Sequence, residues 1–397
     1  MNGAGEPHGR RRVAVTGVGV VSAVGIGADA FWRGLCRPAP TGERRVHDFD
    51  PATVFPNPKE ARRTDRFTQF ALAAAAEALA QAGTPAGDPE RRGVWIGTGV
   101  GGLISIEDQV VVRHERGARR VSPFLVPMMM ANAAAAGVSM RYGWRGPCET
   151  SATACAAGTH SIANGARLIR DGTCDAVIAG SSEAAMTPTG LAGFTNMTAL
   201  SSVGVSRPFD RRRDGFVLAE GAAVVVLEEW EAARERGATI LAEVLGSAST
   251  ADAHHITAPS PGGAGAAACM RAAIADAGLT PAQISQINAH GTSTPLNDAA
   301  EAAAIAAVFG TPGPPVTSIK GVTGHSLGAA GSLEAVSVVL SIQHRLIPPT
   351  DGFEEPDPDL APIDVVHGVP RPWEPGPTLS NSFGFGGHNG CLVLGPA

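Results

Sequence analysis

The chain is almost free of lysine. Of its 31 cationic side chains only Lys59 and Lys320 are lysines, the rest being arginine. Charged residues fill 17% of the 397 positions and the formal net charge is −6, which gives no electrostatic footing for a nucleic-acid binder. No apolar run approaches the roughly 18 residues that a membrane-spanning helix needs. The stretch from Met1 to Arg12 is polar, with no apolar signal core behind it. The six cysteines (Cys36, Cys148, Cys155, Cys174, Cys269 and Cys391) contain no C-x-x-C pair, so neither a disulfide scaffold nor a metal site is expected. These absences predict a reduced, cytoplasmic protein.

What is present describes a globular α/β chain. Apolar residues make up 44%, and the 50 glycines and 30 prolines are dispersed, as turns and close backbone approaches require. Arg12–Val21 reads as a strand whose G-x-G lacks the third glycine and the acidic residue of a dinucleotide site. Thr68–Ala82 reads as an Ala-rich helix and Val94–Gly102 as a strand. Asp175–Gly180 and Ala222–Leu227 are further strands. The order then restarts with strands at Leu241–Gly246, Ile284–Asn288 and Val316–Ile319, helices at Gly263–Ala277 and Gly328–His344, and closing strands within Leu379–Leu394. An internally duplicated fold follows, with halves 1–240 and 241–397. Arg113–Arg120 reads as a solvated loop or a docking patch for an acidic partner. The methionines of Pro127–Ala136 read as core or subunit interface.

The chemistry concentrates in four stretches. In E-T-S-A-T-A-C-A-A-G (149–158), Cys155 stands where a loop enters a helix, a position whose free N–H groups favour a thiolate. Taken alone it reads first as a small buried hydrophobe; the later stretches reverse that reading. N-A-H-G-T-S-T-P-L-N-D (288–298) and S-I-K-G-V-T-G-H-S-L-G-A-A-G (318–331) each place a histidine, His290 and His325, at a strand end, where α/β folds put ligands. N-S-F-G-F-G-G-H-N (381–389) is a glycine loop able to aim backbone N–H groups at a reacting oxygen. Neither histidine adjoins an acid as a hydrolase triad would have it, and G-x-S-x-G is absent. One thiol and two imidazoles suit acyl transfer with carbanion stabilisation.

Together with R-P-F-D-R-R-R-D-G-F-V-L-A-E-G-A (207–222), these motifs resemble the β-ketoacyl-acyl carrier protein synthases, in particular the FabF-like elongating branch. The resemblance spans about Arg12 to Leu394. It implies the thiolase fold, a five-layer αβαβα sandwich of two pseudo-repeats, and a ping-pong decarboxylative Claisen condensation. Cys155 would take the acyl chain, and His290 and His325 would stabilise the enolate of malonyl-acyl carrier protein. The N–H groups of Cys155 and Phe385 would form the oxyanion hole, with Lys320 and Glu334 as buried polar support. Thr292 and Thr294 would contact the malonyl and pantetheine portion, Phe385 would gate the site and Phe194 would stand at the entrance. No cofactor is implied beyond the phosphopantetheine of the carrier protein. The implied partners are that carrier and a second subunit, either a copy of this chain or a chain-length-factor-like relative. Arg62, Arg63, Arg66, Arg116, Arg119 and Arg120 are candidate carrier contacts.

Two alternatives are weighed against this reading. A non-decarboxylating thiolase would carry a second cysteine in place of one histidine, and a non-catalytic partner subunit would lack Cys155. The departures from the family pattern fall around the acyl chain. Ala156 and Ala157 follow the nucleophile, Val100 stands where a bulkier Ile is usual, Leu125 where Phe is common, and Gly321 where Ser is frequent. Smaller residues there fit a longer or stiffer chain, hence a type II polyketide as well as a fatty-acid pathway.

Overall fold

The computed structural model describes residues 10–40, 42–85 and 87–397; the first nine residues of the polar N-terminal stretch lie outside it. Ten strands carry the architecture. They are β1 (Val13–Ser22), β2 (Arg92–Gly97), β3 (Cys148–Glu149), β4 (Ala176–Glu183), β5 (Gly221–Glu229), β6 (Ala242–Ala251), β7 (Gln286–Asn288), β8 (Val316–Thr317), β9 (Thr378–Gly384) and β10 (His388–Gly395). The first five pair in the order β3-β2-β4-β5-β1 and the last five in the order β8-β7-β9-β10-β6. In each half the first three strands of that order are parallel and the last two join antiparallel. Order and direction therefore repeat strand for strand, which the sequence halves alone did not reveal. The two sheets touch through one short seam, where Ala14 faces Glu243 and Val15 faces Ala242.

Seven helices complete the layers: α1 (Arg66–Ala82), α2 (Leu103–Arg116), α3 (Ala133–Tyr142), α4 (Ala157–Arg170), α5 (Ala264–Asp276), α6 (Pro295–Phe309) and α7 (Ala330–His344). α4 and α7 pack on each other and on both sheets, so they form the central layer. α7 is buried at every residue from Ala330 to Ile342, which is why its sequence carries no polar stripe facing water, its Ser332, Glu334, Ser337 and Ser341 being buried with the rest. α1 and α3 cover the outer face of the first sheet, and α5 covers that of the second, with α6 packed on it. This is the αβαβα sandwich of the thiolase fold. The G-x-G of β1 serves packing. A Cβ on Gly17 or Gly19 would meet the carbonyl oxygens of Ala78 and Ala74 at 2.1 and 1.9 Å, so only glycine lets α1 lie this close.

Three local expectations change. The strand expected to reach Gly102 stops at Gly97, because the next glycines turn away: the Gly99 N–H binds the Glu183 carboxylate, that of Gly101 the Thr98 hydroxyl and that of Gly102 the Met129 carbonyl. The arginine cluster expected as a loop is the last turn of α2 followed by a short 3-10 turn at Ala118–Arg120, basic side chains at a helix C-terminus being favourable. The methionine stretch splits between a short helix, Leu125–Met129, and α3.

Candidate active site

Cys155 lies in a 3-10 turn, Ala154–Ala156, that feeds α4. The second half has a matching turn, Leu327–Ala329, that feeds α7. Both turns begin on a non-glycine residue with positive φ, Ala154 at 49° and Leu327 at 48°, a backbone state that persists where surrounding contacts enforce it. The two turns bring Cys155 beside His325, with Sγ 3.1 Å from Nε2. His290, leaving β7, stands edge-on to His325 with ring centroids 5.5 Å apart. Sγ and the two imidazole nitrogens lie within 4.8 Å of one another.

The tautomers follow from the neighbours. His290 Nδ1 lies 3.2 Å from Lys320 Nζ, and an ammonium can only donate, so Nδ1 is unprotonated and Nε2 carries the hydrogen. His325 Nδ1 is buried with no hydrogen-bond partner among the described residues. An unmet lone pair costs less than an unmet N–H, which again puts the hydrogen on Nε2, towards Cys155. Burial, then the Lys320 charge, hold both imidazoles well below their ordinary pKa, His325 adding to the effect on His290. They are neutral donors.

Lys320 also donates to the His290 carbonyl at 2.7 Å and to the Glu334 carboxylate. Glu334, pushed up to about 7 by burial against the pull of Lys320, accepts from Ser382 Oγ at 3.3 Å. The backbone N–H groups of Phe385 and of Cys155 itself act on the thiol to lower its pKa. Gly384 makes this possible, since a Cβ there would come within 3.1 Å of the Cys155 nitrogen. The expectation that the helix start favours a thiolate needs correcting: burial pushes the Cys155 thiol up to about 11, and Lys320 only partly offsets it. The resting nucleophile is a thiol.

A cavity of about 360 Å³ leads to Cys155, lined among others by Phe194, Thr292, Thr294, Phe385 and Leu296. Thr292 and Thr294 join their hydroxyls at 2.9 Å. Val100 and Leu125 do not line it. Val100 is 44% exposed and Leu125 half-buried, both on the face formed by α2, the Leu125–Met129 helix and α3. Of the arginines, Arg62, Arg63, Arg116, Arg119 and Arg120 are exposed. Arg66 instead turns inward to Glu220 at 2.8 Å and the Val46 carbonyl at 2.6 Å. Sequence reasoning missed Glu301, whose carboxylate receives the N–H of His290 at 2.8 Å and of Gly291 at 2.7 Å. A lone acid in the Ala-rich run of α6 was the available signal. Phe216, 5.0 Å from the His325 ring, was also missed.

A buried thiol, two neutral imidazole donors and two converging N–H groups in a thiolase fold define an acyl-transferring enzyme. The comparisons say which kind. Residues 37–233 match the family model "Beta-ketoacyl synthase, N-terminal domain" and residues 241–354 match "Beta-ketoacyl synthase, C-terminal domain". The chain is 43% identical over 413 residues to 3-oxoacyl-[acyl-carrier-protein] synthase 2 of Synechocystis sp., covering 97% of this chain and 98% of that protein. Among solved structures, the ishigamide ketosynthase/chain length factor superposes with a TM-score of 0.91 at 34% identity, over 98% of this chain and all of that one. A type II polyketide ketosynthase in complex with its acyl-carrier protein, AntDE:AntF, gives 0.88 at 30% identity with the same coverage. The chain belongs to the β-ketoacyl synthase family.

Proposed function

We propose that this enzyme condenses an acyl chain held on Cys155 with malonyl-acyl carrier protein, giving a β-ketoacyl-carrier protein in chain elongation. The observation that carries the reading is the pair of Nε2–H donors facing the cavity beside a buried thiol. In the first half-reaction the sulfur of Cys155 attacks the carrier thioester, and its proton ends on the departing pantetheine sulfur. The N–H groups of Cys155 and Phe385 hold the tetrahedral oxyanion. In the second, malonyl-carrier protein loses carbon dioxide. The electron pair moves onto the thioester oxygen as an enolate, which the Nε2–H groups of His290 and His325 stabilise. The enolate carbon attacks the Cys155 thioester, and the expelled sulfur regains a proton from solvent. No strong base is needed, because decarboxylation itself makes the carbanion.

Thr292 and Thr294 are assigned to the pantetheine–malonyl portion, Phe194 and Phe385 to the entrance, and Lys320 and Glu334 to fixing His290. The nucleophile belongs to 1–240 and both imidazoles to 241–397, so the site exists only where the halves meet. The carrier protein is the partner named for the relatives. Arg62, Arg63, Arg116, Arg119 and Arg120 are its candidate contacts here, while Arg66 is committed to Glu220. We place the enzyme in the cytoplasm; among the described residues no helix is long and apolar enough to cross a membrane.

The test is intact-protein mass spectrometry after exposure to saturated, polyunsaturated and β-keto acyl-carrier proteins, with Cys155→Ala as control. A Cys155 adduct with saturated chains supports fatty-acid elongation, and preference for unsaturated or keto chains supports the polyketide pathway. No adduct with any chain overturns the assignment. In the same assay, reversing Arg119 and Arg120 to Glu raises the carrier-protein KM if they dock it; an unchanged KM removes them.

A further inference from the structure

His160 lies in the first turn of α4, 6% exposed, and no step above uses it. Its Nε2 is 3.2 Å from the main-chain carbonyl of Asn389 and its Nδ1 is 2.7 Å from Thr153 Oγ1. A carbonyl can only accept, so Nε2 carries the hydrogen and Nδ1 accepts from the Thr153 hydroxyl. Burial lowers the pKa of this ring and keeps it neutral.

Both partners flank the groups that hold the oxyanion. Thr153 stands two residues before Cys155, and its carbonyl receives the Ala156 N–H at 3.1 Å, closing the turn that presents the Cys155 N–H. Asn389 is the second residue of β10, one position past the glycine loop that presents the Phe385 N–H. Its side chain is anchored in turn on Asp252 at 2.8 Å. The two N–H donors lie 230 residues apart in the sequence, at positions 155 and 385, so noncovalent contacts set their separation. We propose that His160 is a positioning residue that fixes the two halves of the oxyanion hole to each other, pinning Thr153 on one side and Asn389 on the other. This rests on the acyl-transfer reading of the site.

Two reactions at the same sulfur separate this role from a general structural one. Acylation by an acyl-carrier thioester passes through a tetrahedral oxyanion; alkylation by iodoacetamide does not. His160→Phe keeps an aromatic ring, somewhat larger than imidazole, and removes both hydrogen bonds. Its single-turnover acylation should fall about 10- to 100-fold, less than or comparable to removing an oxyanion donor outright, while alkylation stays within about twofold. Thr153→Val, which removes one hydroxyl and leaves the ring in place, should show a smaller fall of the same kind, and Thr153→Ser should restore the rate. Parallel loss of acylation and alkylation in Thr153→Val, or acylation unchanged in both His160→Phe and Thr153→Val, overturns the proposal. Wild-type enzyme that alkylates but accepts no acyl chain defeats the acyl-transfer reading itself, before any variant is compared.

Discussion

Lys320 touches three groups at once: the Glu334 carboxylate, the His290 carbonyl and the His290 ring nitrogen. Two of these contacts are an ion pair and a backbone tie, which concern stability. The third sets a tautomer, which concerns chemistry. The two can be taken apart. Lys320→Met leaves Glu334 buried without its cation and should cost about 3–5 kcal/mol of stability. Pairing it with Glu334→Leu should return most of that loss, because an apolar pair of similar volume replaces the charges. Neither variant holds His290 Nδ1 as an acceptor, so both should lose malonyl-carrier decarboxylation by on the order of a hundredfold. Urea denaturation and carbon dioxide release, run side by side, check this. A double variant that is stable and still decarboxylates would reduce Lys320 to an ion-pair partner.

At the next scale, one buried carboxylate ties elements of the two halves together. Glu183, at the end of β4, accepts from Thr98 Oγ1 at 3.1 Å, from the Gly99 N–H at 2.7 Å and from the Gly328 N–H at 3.2 Å. Gly328 belongs to the turn that follows His325, so the first sheet grips the second histidine's turn through this one side chain. Burial raises Glu183 to about 7. A folded pKa above the unfolded one means that the stability of the protonated form is fully present below about 4.5 and is lost as pH rises through about 7. Glu183→Gln does not titrate, so its stability relative to wild type should improve between pH 5 and pH 8 by on the order of 3 kcal/mol. Thermal melts at both pH values read this directly, and a pH-independent difference would refute the shift. Such ties also mark what the sequence leaves unreadable. Cys155, His290, Lys320 and His325 announce themselves through neighbours within ten residues. Glu183 and His160 do not, because His160 and Asn389 lie 229 positions apart and Glu183 and Gly328 lie 145 apart; Glu301, ten residues from Gly291, was near enough to read and was missed. The succession of strands and helices along the chain was legible from hydrophobic runs. The exact repeat of strand direction was not, since it resides in pairing. The thiol's high pKa was misread because a helix start is visible in sequence and burial is not.

The whole molecule has one face whose composition does not suit water. Val110, Val111, Val126, Met130 and Met140 are exposed there, Met140 at 77%, and Met128, Met130 and Met140 line a shallow groove with Phe55. β3 is the edge of its sheet, with Cys148 and Glu149 both exposed. An open edge strand beside a broad apolar surface calls for a second chain. The residues expected to line the acyl chain, Val100 and Leu125, lie on this face and not in the cavity beside Cys155. A second subunit would cover the face, and it would also close the far end of the acyl site if the chain held on Cys155 reaches Val100 and Leu125 as the family pattern implies. Val126→Glu with Met140→Glu should weaken association at least about tenfold, since each puts a charge into an apolar contact. Sedimentation velocity of the purified chain measures it. Acylation by long chains should fall in the variant while acylation by a two-carbon chain, which needs no far end, holds. A wild-type chain that sediments as a monomer, yet takes long chains only when a homologous subunit is added, would assign the face to a heterodimer. A monomer fully active on long chains would show that the face closes no site.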